Sequence, residues 1–234
     1  MLKLTGIGKM FGDRVVLKKI SLETAPGTVS LLVGANGAGK TTLLKIMAGL
    51  IRPSTGTVEC QCEQGELGYL GHATFLYPGL SALENLTFWS RLYGLGADRA
   101  HLLALLERVE LARFAEERAG SFSRGMAQRL NLARILLQSP RILLLDEPGT
   151  GLDTRSLSLL RREIGEARAH GAAIVWISHD LTGDAPYADR ILAIANKTLV
   201  YDGSPADWPG MEALLTLEHA SGTTFPSDTG AASC

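Results

Sequence analysis

Gly34-Ala35-Asn36-Gly37-Ala38-Gly39-Lys40-Thr41 follows directly on the apolar run Val29-Ser30-Leu31-Leu32-Val33, and no other stretch restricts the possible folds so tightly. The spacing G-x-x-x-x-G-K-T describes a buried strand, then a glycine loop whose backbone N–H groups wrap phosphate, then a helix whose positive dipole end faces the same charge. In that geometry Lys40 reaches the β- and γ-phosphates and the Thr41 hydroxyl binds Mg²⁺, with Thr42 beside them in the nucleotide-binding set. The loop by itself leaves kinases, GTPases and transport ATPases open.

About a hundred residues downstream stands Ile142-Leu143-Leu144-Leu145-Asp146-Glu147-Pro148. Four apolar residues make a buried strand, and its C-terminal end delivers two carboxylates to the crevice where parallel α/β sheets bind ligands. Asp146 suits the Mg²⁺ shell. Glu147 is then placed to accept a proton from, or to orient, the water attacking the γ-phosphate. His179 ends another apolar run, Ile174-Val175-Trp176-Ile177-Ser178, and so emerges at the same sheet edge, within reach of that phosphate.

Ser121-Phe122-Ser123-Arg124-Gly125-Met126-Ala127-Gln128-Arg129 precedes a further helical run. Ser123 reads as a helix N-cap, and a helix opening with Ser and Gly offers a hydroxyl, free N–H groups and a positive dipole end. That makes a second anion site in one chain. Two copies facing each other give both sites a purpose, each nucleotide lying between the cradle of one chain and the capped helix of the other.

The rest of the pattern predicts an α/β domain. Strand-like segments occupy 1–7, 15–23 and 28–33, with Pro26-Gly27 as a turn signal. Residues 81–94 carry Leu83, Leu86, Trp89, Leu92 and Tyr93 at helical spacing behind the capping pair Ser81 and Glu84, and a second helix runs over 98–111. Strands at 142–145, 173–178 and 190–195, with a helix at 154–170, imply a parallel sheet covered on both faces. Residues 219–234 are rich in Ser, Thr, Gly and Ala without periodicity and read as a mobile tail.

With 234 residues, 46% of them apolar, the chain suffices for one large domain or a domain with an inserted subdomain. The 23 Lys and Arg nearly cancel the 24 Asp and Glu, which gives no pull toward nucleic acid. No apolar run reaches the roughly 20 residues that span a bilayer, and the start lacks a secretory core, so a cytoplasmic location is expected. Cys60, Cys62 and Cys234 are too few for a disulfide framework, which fits a reducing compartment. Cys60 and Cys62 share a face if 57–62 is a strand, where they would offer a weakly specified metal or redox pair.

As a set these motifs resemble the ATP-binding cassette (ABC) transporter family, over residues 1–210. Gly34 to Thr41 matches its Walker A, Ser123-Arg124-Gly125-Met126 its signature, Leu145-Asp146-Glu147-Pro148 its Walker B with catalytic Glu, Gly151-Leu152-Asp153 its D-loop, and His179 its switch histidine. Phe11 falls where the family stacks a ring on adenine, although it would serve equally as core, and Asp153 equally as a helix cap. The resemblance implies a P-loop NTPase fold of the ABC type. Its sheet is mainly parallel, with an N-terminal antiparallel part and a helical subdomain at about 76–138, and residues 211–234 form an extension. It also implies ATP and Mg²⁺, a second ABC subunit making a homodimer, integral membrane subunits as partners, and a peripheral place at the cytoplasmic face of the inner membrane.

Two departures stand out. The signature usually reads Leu-Ser-Gly-Gly-Gln, and Phe-Ser-Arg-Gly-Met keeps the Ser123 hydroxyl and the Gly125 backbone but loses the Gln amide. His72 occupies the position of the family's Gln that touches Mg²⁺ and water, and a histidine there is expected to act through water or to titrate during the cycle, because its charge changes between about pH 5 and 8. Tyr69-Leu70-Gly71-His72 followed by Leu83-Glu84-Asn85-Leu86 resembles the ATP-binding subunits of haem exporters in cytochrome c maturation, while Ser-Arg-Gly-Met is shared with ABC-2-type exporters of drugs and polysaccharides. Surplus apolar residues at 73–91 suggest the surface that couples to membrane subunits, or equally packing of the helical insert. A non-transport ABC ATPase usually fuses two cassettes or adds long coiled coils, and neither occurs here.

Overall fold

The computed structural model describes residues 1–63, 65–71 and 73–213. Strand β1 (Leu2–Phe11) forms a hairpin with β2 (Arg14–Glu23), and β4 (Thr55–Cys60) pairs antiparallel along the other edge of β1. This gives a three-stranded antiparallel sheet in the order β2-β1-β4. Its alternating residues Leu2, Leu4, Leu17, Ile20 and Leu22 turn inward and are buried.

The larger sheet also contains β3 (Val29–Val33), β5 (Leu67–Leu70), β6 (Ile142–Asp146), β7 (Ala173–Ile177), β8 (Arg190–Ala195) and β9 (Thr198–Gly203). Its order is β5-β6-β7-β3-β8-β9, parallel except for the final β8–β9 hairpin. The nearly continuous apolar runs of β3, β6 and β7 follow from burial on both faces. Leu32, Ile142, Leu144, Val175 and Ile177 face the core shared with α1 (Lys40–Met47) and the antiparallel sheet. Leu31, Leu143, Leu145, Ile174 and Trp176 face the opposite core, shared with the remaining helices.

Between β5 and β6 the chain leaves the sheet for α2 (Ala82–Leu92), α3 (Arg99–Arg108) and α4 (Arg124–Leu136). The capping box expected at Ser81 is complete: the Glu84 N–H donates to the Ser81 hydroxyl at 3.1 Å, and the Ser81 N–H donates to the Glu84 carboxylate at 2.7 Å. Fully buried Asn85 accepts from the Tyr77 N–H at 2.8 Å, and its amide faces the carbonyls of Tyr77, Leu80 and Ser81, tying the preceding segment to α2. After β6, α5 (Thr154–Ala169) is capped by Asp153, and the one-turn α6 (Leu181–Asp184) follows β7.

Of the two expectations for Cys60 and Cys62, the metal site is corrected, whereas a disulfide is one state of a redox pair. β4 ends at Cys60, so Cys62 lies beyond the strand, and the two sulfurs are joined as a disulfide spanning one residue. Thiols paired in this way are not available as metal ligands, and among the described residues no group of three or more His, Cys, Asp or Glu could hold a metal ion. The expected tail at 219–234 lies outside the described residues.

Candidate active site

Strand β3 ends where the glycine loop begins, and α1 starts at Lys40 with Gly39 as its N-terminal residue in a left-handed conformation, φ 103°. Gly34 has φ 149°, and a Cβ there would run into the Ile194 carbonyl oxygen, so the chain can leave β3 beside β8 only as glycine. The first turn of α1 carries no acidic residue and no side-chain cap, which leaves its N–H groups facing the loop's concavity. The Lys40 ammonium, only 6% exposed, donates to the carbonyls of Gly34 at 2.7 Å and Ala35 at 3.0 Å. A cavity of about 280 Å³ opens above, lined by Asn36, Gly37, Lys40, Thr41, Thr42 and Glu147 among others.

Asp146 closes β6 and is buried, 1% exposed. One of its carboxylate oxygens accepts from the Thr41 hydroxyl at 2.9 Å and the other from the Tyr69 hydroxyl at 3.2 Å. Burial, the charge of Asp146 and this hydrogen bond push the Tyr69 phenol well above its ordinary range, so it remains a donor. Tyr69 was not singled out as a site residue in the sequence. It reaches Asp146 because β5 pairs in parallel with β6, Tyr69 opposite Leu144, a pairing that only the structure shows.

Glu147 sits one residue past β6 with φ 54°, a left-handed conformation that a non-glycine residue adopts at a cost of roughly 1–3 kcal/mol. Its N–H donates to the Ile177 carbonyl at 3.2 Å, and its carboxylate lies 2.6 Å from His179 Nε2. Glu147 lines the Lys40 cavity and also a second one of about 110 Å³ that contains Asp146, Arg124 and Gln128. Five residues chosen from separated motifs, Lys40, Thr41, Asp146, Glu147 and His179, therefore converge.

Ser123 and Gly125 do not join them. Ser123 caps α4, accepting from the Met126 N–H at 3.3 Å, and is exposed; Gly125 packs against the start of α5 near Ser156. Asp153 acts as the N-cap of α5, accepting from Ser156 N–H at 2.7 Å, and this contact holds its carboxyl below the usual range. Phe11 is not core: its ring is 52% exposed at the end of β1, with the Lys9 ammonium 4.8 Å from its centroid. His72 lies outside the described residues. For a hard divalent cation, the donor set beside the loop is a hydroxyl and a carboxylate, both oxygen and already 2.9 Å apart, which fits Mg²⁺.

A family model described as ABC transporter matches residues 17–150. The chain belongs to the ABC transporter family. It is an ATP-binding subunit and an ATPase of that family, a class of protein that works with membrane subunits. It is 39% identical to the cytochrome c biogenesis ATP-binding export protein CcmA of Rhodopseudomonas palustris over 198 residues, which is 81% of this chain and 97% of that protein. It is 34% identical to the ABC transporter ATP-binding protein NatA of Bacillus subtilis (87% and 89% of the two chains). It is also 34% identical to a Nod factor export ATP-binding protein I of Burkholderia lata (85% and 69%). Among solved structures, a dimeric ATP-binding cassette in a post-hydrolysis state bound to ADP and Pi superposes with a TM-score of 0.77 at 26% identity, covering 89% of this chain and all of that one.

Proposed function

We propose that this ABC ATPase hydrolyses ATP between two copies of itself and drives an exporter, with haem export for cytochrome c maturation as the specific role. One observation carries the hydrolytic assignment: the Glu147 carboxylate borders both the Lys40 cavity and the Asp146 cavity while held 2.6 Å from His179 Nε2. Lys40 exchanges its two loop carbonyls for β- and γ-phosphate oxygens. Thr41 and Asp146 would hold Mg²⁺, which supplies neutralisation of phosphate charge. Glu147 orients the attacking water and takes its proton, while His179 fixes the Glu147 carboxylate and faces the γ-phosphate. The exposed Phe11 ring is available for adenine.

The second copy supplies what one chain lacks. Ser123 and Gly125 border neither cavity, and their place at the start of α4 suits them to the phosphate held by a partner chain, with Asp153 on the same facing surface. The domain reading, one cassette over 1–210 with a helical insert at 76–138, fits the position of α2 to α4 between adjacent strands. No helix among the described residues is long and apolar enough to cross a membrane, so we place the subunit peripherally, at the cytoplasmic face of the inner membrane. The segment 73–91, which presents Phe75 and Tyr77 to solvent at 53% and 45% exposure, is the proposed contact with the membrane subunits.

The haem assignment rests on Tyr69-Leu70-Gly71-His72 and on the likeness to CcmA. Ser123-Arg124-Gly125-Met126, with the likeness to NatA and the Nod factor protein, favours an ABC-2-type drug or polysaccharide exporter as the second reading. Glu147→Gln tests the mechanism: ATP binding and a nucleotide-trapped dimer should persist while turnover falls about 10²–10⁴-fold. Turnover at the wild-type rate would refute it. Purifying the chain from native membranes and identifying its integral partner separates the two cargo readings.

A further inference from the structure

His179, whose ring holds the Glu147 carboxylate, is pinned through the residues on either side of it. The hydroxyl of buried Ser178 reaches across it to accept from the Asp180 N–H at 3.0 Å, and in turn donates to the Asp184 carboxylate at 2.5 Å. Asp184 closes α6 and is 3% exposed. Its other oxygen takes two bonds from Arg161, Nε at 2.9 Å and Nη2 at 2.6 Å. Arg161 stands in the middle of α5, and the same Nη2 donates to the Asp180 carboxylate at 3.2 Å. A Cβ at Gly183 would lie 2.5 Å from that nitrogen, so glycine leaves the guanidinium its seat. One cation thus grips the residue after His179 directly and the residue before it through Asp184.

An arginine and a carboxylate that meet for their own sake commonly pair fork to fork, through both oxygens. Here both Arg161 bonds fall on one oxygen of Asp184, and the second oxygen is turned to Ser178. Apolar residues in place of a buried ion pair are often neutral or stabilising, so stability alone is a weak reason for the arrangement. Fixing the backbone around a reacting group is a stronger one, because small displacements there are costly to rate. The Glu147 N–H is bonded to Ile177, directly before Ser178, so the same short stretch is tied to Glu147 at its other end. Ser178, Arg161 and Asp184 border neither the Lys40 cavity nor the Asp146 cavity, which leaves them to act through His179. We propose that Asp184, oriented by Arg161, is a positioning residue for ATP hydrolysis: through Ser178 it sets His179 so that Nε2 stays 2.6 Å from the Glu147 carboxylate. Because Arg161 belongs to the helix capped by Asp153, His179 is thereby held in register with α5. The inference rests on the hydrolytic reading above and adds to it the residues that hold its histidine in place.

Ser178→Ala cuts the link to His179 and leaves the Arg161–Asp184 pair intact. In the purified full chain, kcat for ATP hydrolysis should fall roughly ten- to hundredfold while KM for ATP moves by less than about threefold. In a His179→Ala background the same change should cost less than about twofold, since groups that act as a unit are not additive. Arg161→Met combined with Asp184→Leu replaces the pair by apolar side chains, and it should lower kcat to the same extent while cooperative unfolding is kept. Wild-type turnover in Ser178→Ala, a loss carried by KM alone, or an equal loss in both backgrounds overturns the positioning role. Glu147→Gln, measured alongside, separates the two readings. An inactive Glu147→Gln beside a fully active Ser178→Ala overturns the positioning alone, and full activity of both overturns the hydrolytic reading as well. Should the double variant fail to fold, Ser178→Ala decides by itself.

Discussion

Tyr69→Phe removes one hydroxyl and leaves the ring in place, so it isolates the hydrogen bond to Asp146. The bond is 3.2 Å long, toward the weak end for O–H···O contacts, which puts its value near the bottom of the range for bonds to charged groups, about 1.5 kcal/mol. The receiving carboxylate is 1% exposed, so water does not replace the lost donor. For a chain of this length that corresponds to a Tm lower by about 3–6 °C near neutral pH without nucleotide. The pH dependence follows from the raised pKa of Tyr69, caused first by burial and then by Asp146. A phenol whose folded pKa lies above its unfolded value stabilises fully below about pH 10, and that contribution is lost as the pH climbs through the folded value. Thermal unfolding of both proteins between pH 7 and pH 11 should therefore show a constant gap that starts to close above about pH 10. Equal Tm values at neutral pH, or a gap unchanged at pH 11, would refute the assigned bond.

Gly34→Ala forces a Cβ toward the Ile194 carbonyl at φ 149°, and equilibrium denaturation should show a loss of at least about 2 kcal/mol together with weakened ATP binding. Ser81→Ala removes half of the capping box while Asn85 keeps its own bonds; about 1 kcal/mol of stability should disappear, measured by denaturation, with ATPase of the purified chain unaffected.

Much of the architecture was legible because burial leaves a mark on composition. Strands β3, β6, β7 and β8 lie in the sheet interior, and their nearly continuous apolar runs are what two buried faces require. Helices α2 and α5 announced themselves through Ser81 with Glu84 and through Asp153. Strands β5 and β9 were not recognised. β5 is four residues long and contains Gly68, a residue that weakens a strand signal, yet a Cβ at that position would meet the Ile135 side chain of α4 at 2.5 Å. β9 returns antiparallel through Asn196 and Lys197, both at positive φ (49° and 69°), a turn whose lysine gives little warning.

Sequence by itself determined the family, the ATP chemistry and most members of the site, because phosphate recognition demands particular residues at fixed spacing along one loop. Only the tertiary structure decided which of those residues meet. It joined Thr41 to Asp146 across 105 positions and brought His179 to Glu147. It recruited Tyr69, left Phe11 in solvent, and kept Ser123 and Gly125 apart from the cradle of their own chain. It also buried Arg134 beside the Trp89 ring and near the Phe75 ring. Contacts of this kind depend on strand order and on helix packing over the sheet, and neither is encoded by any single local pattern.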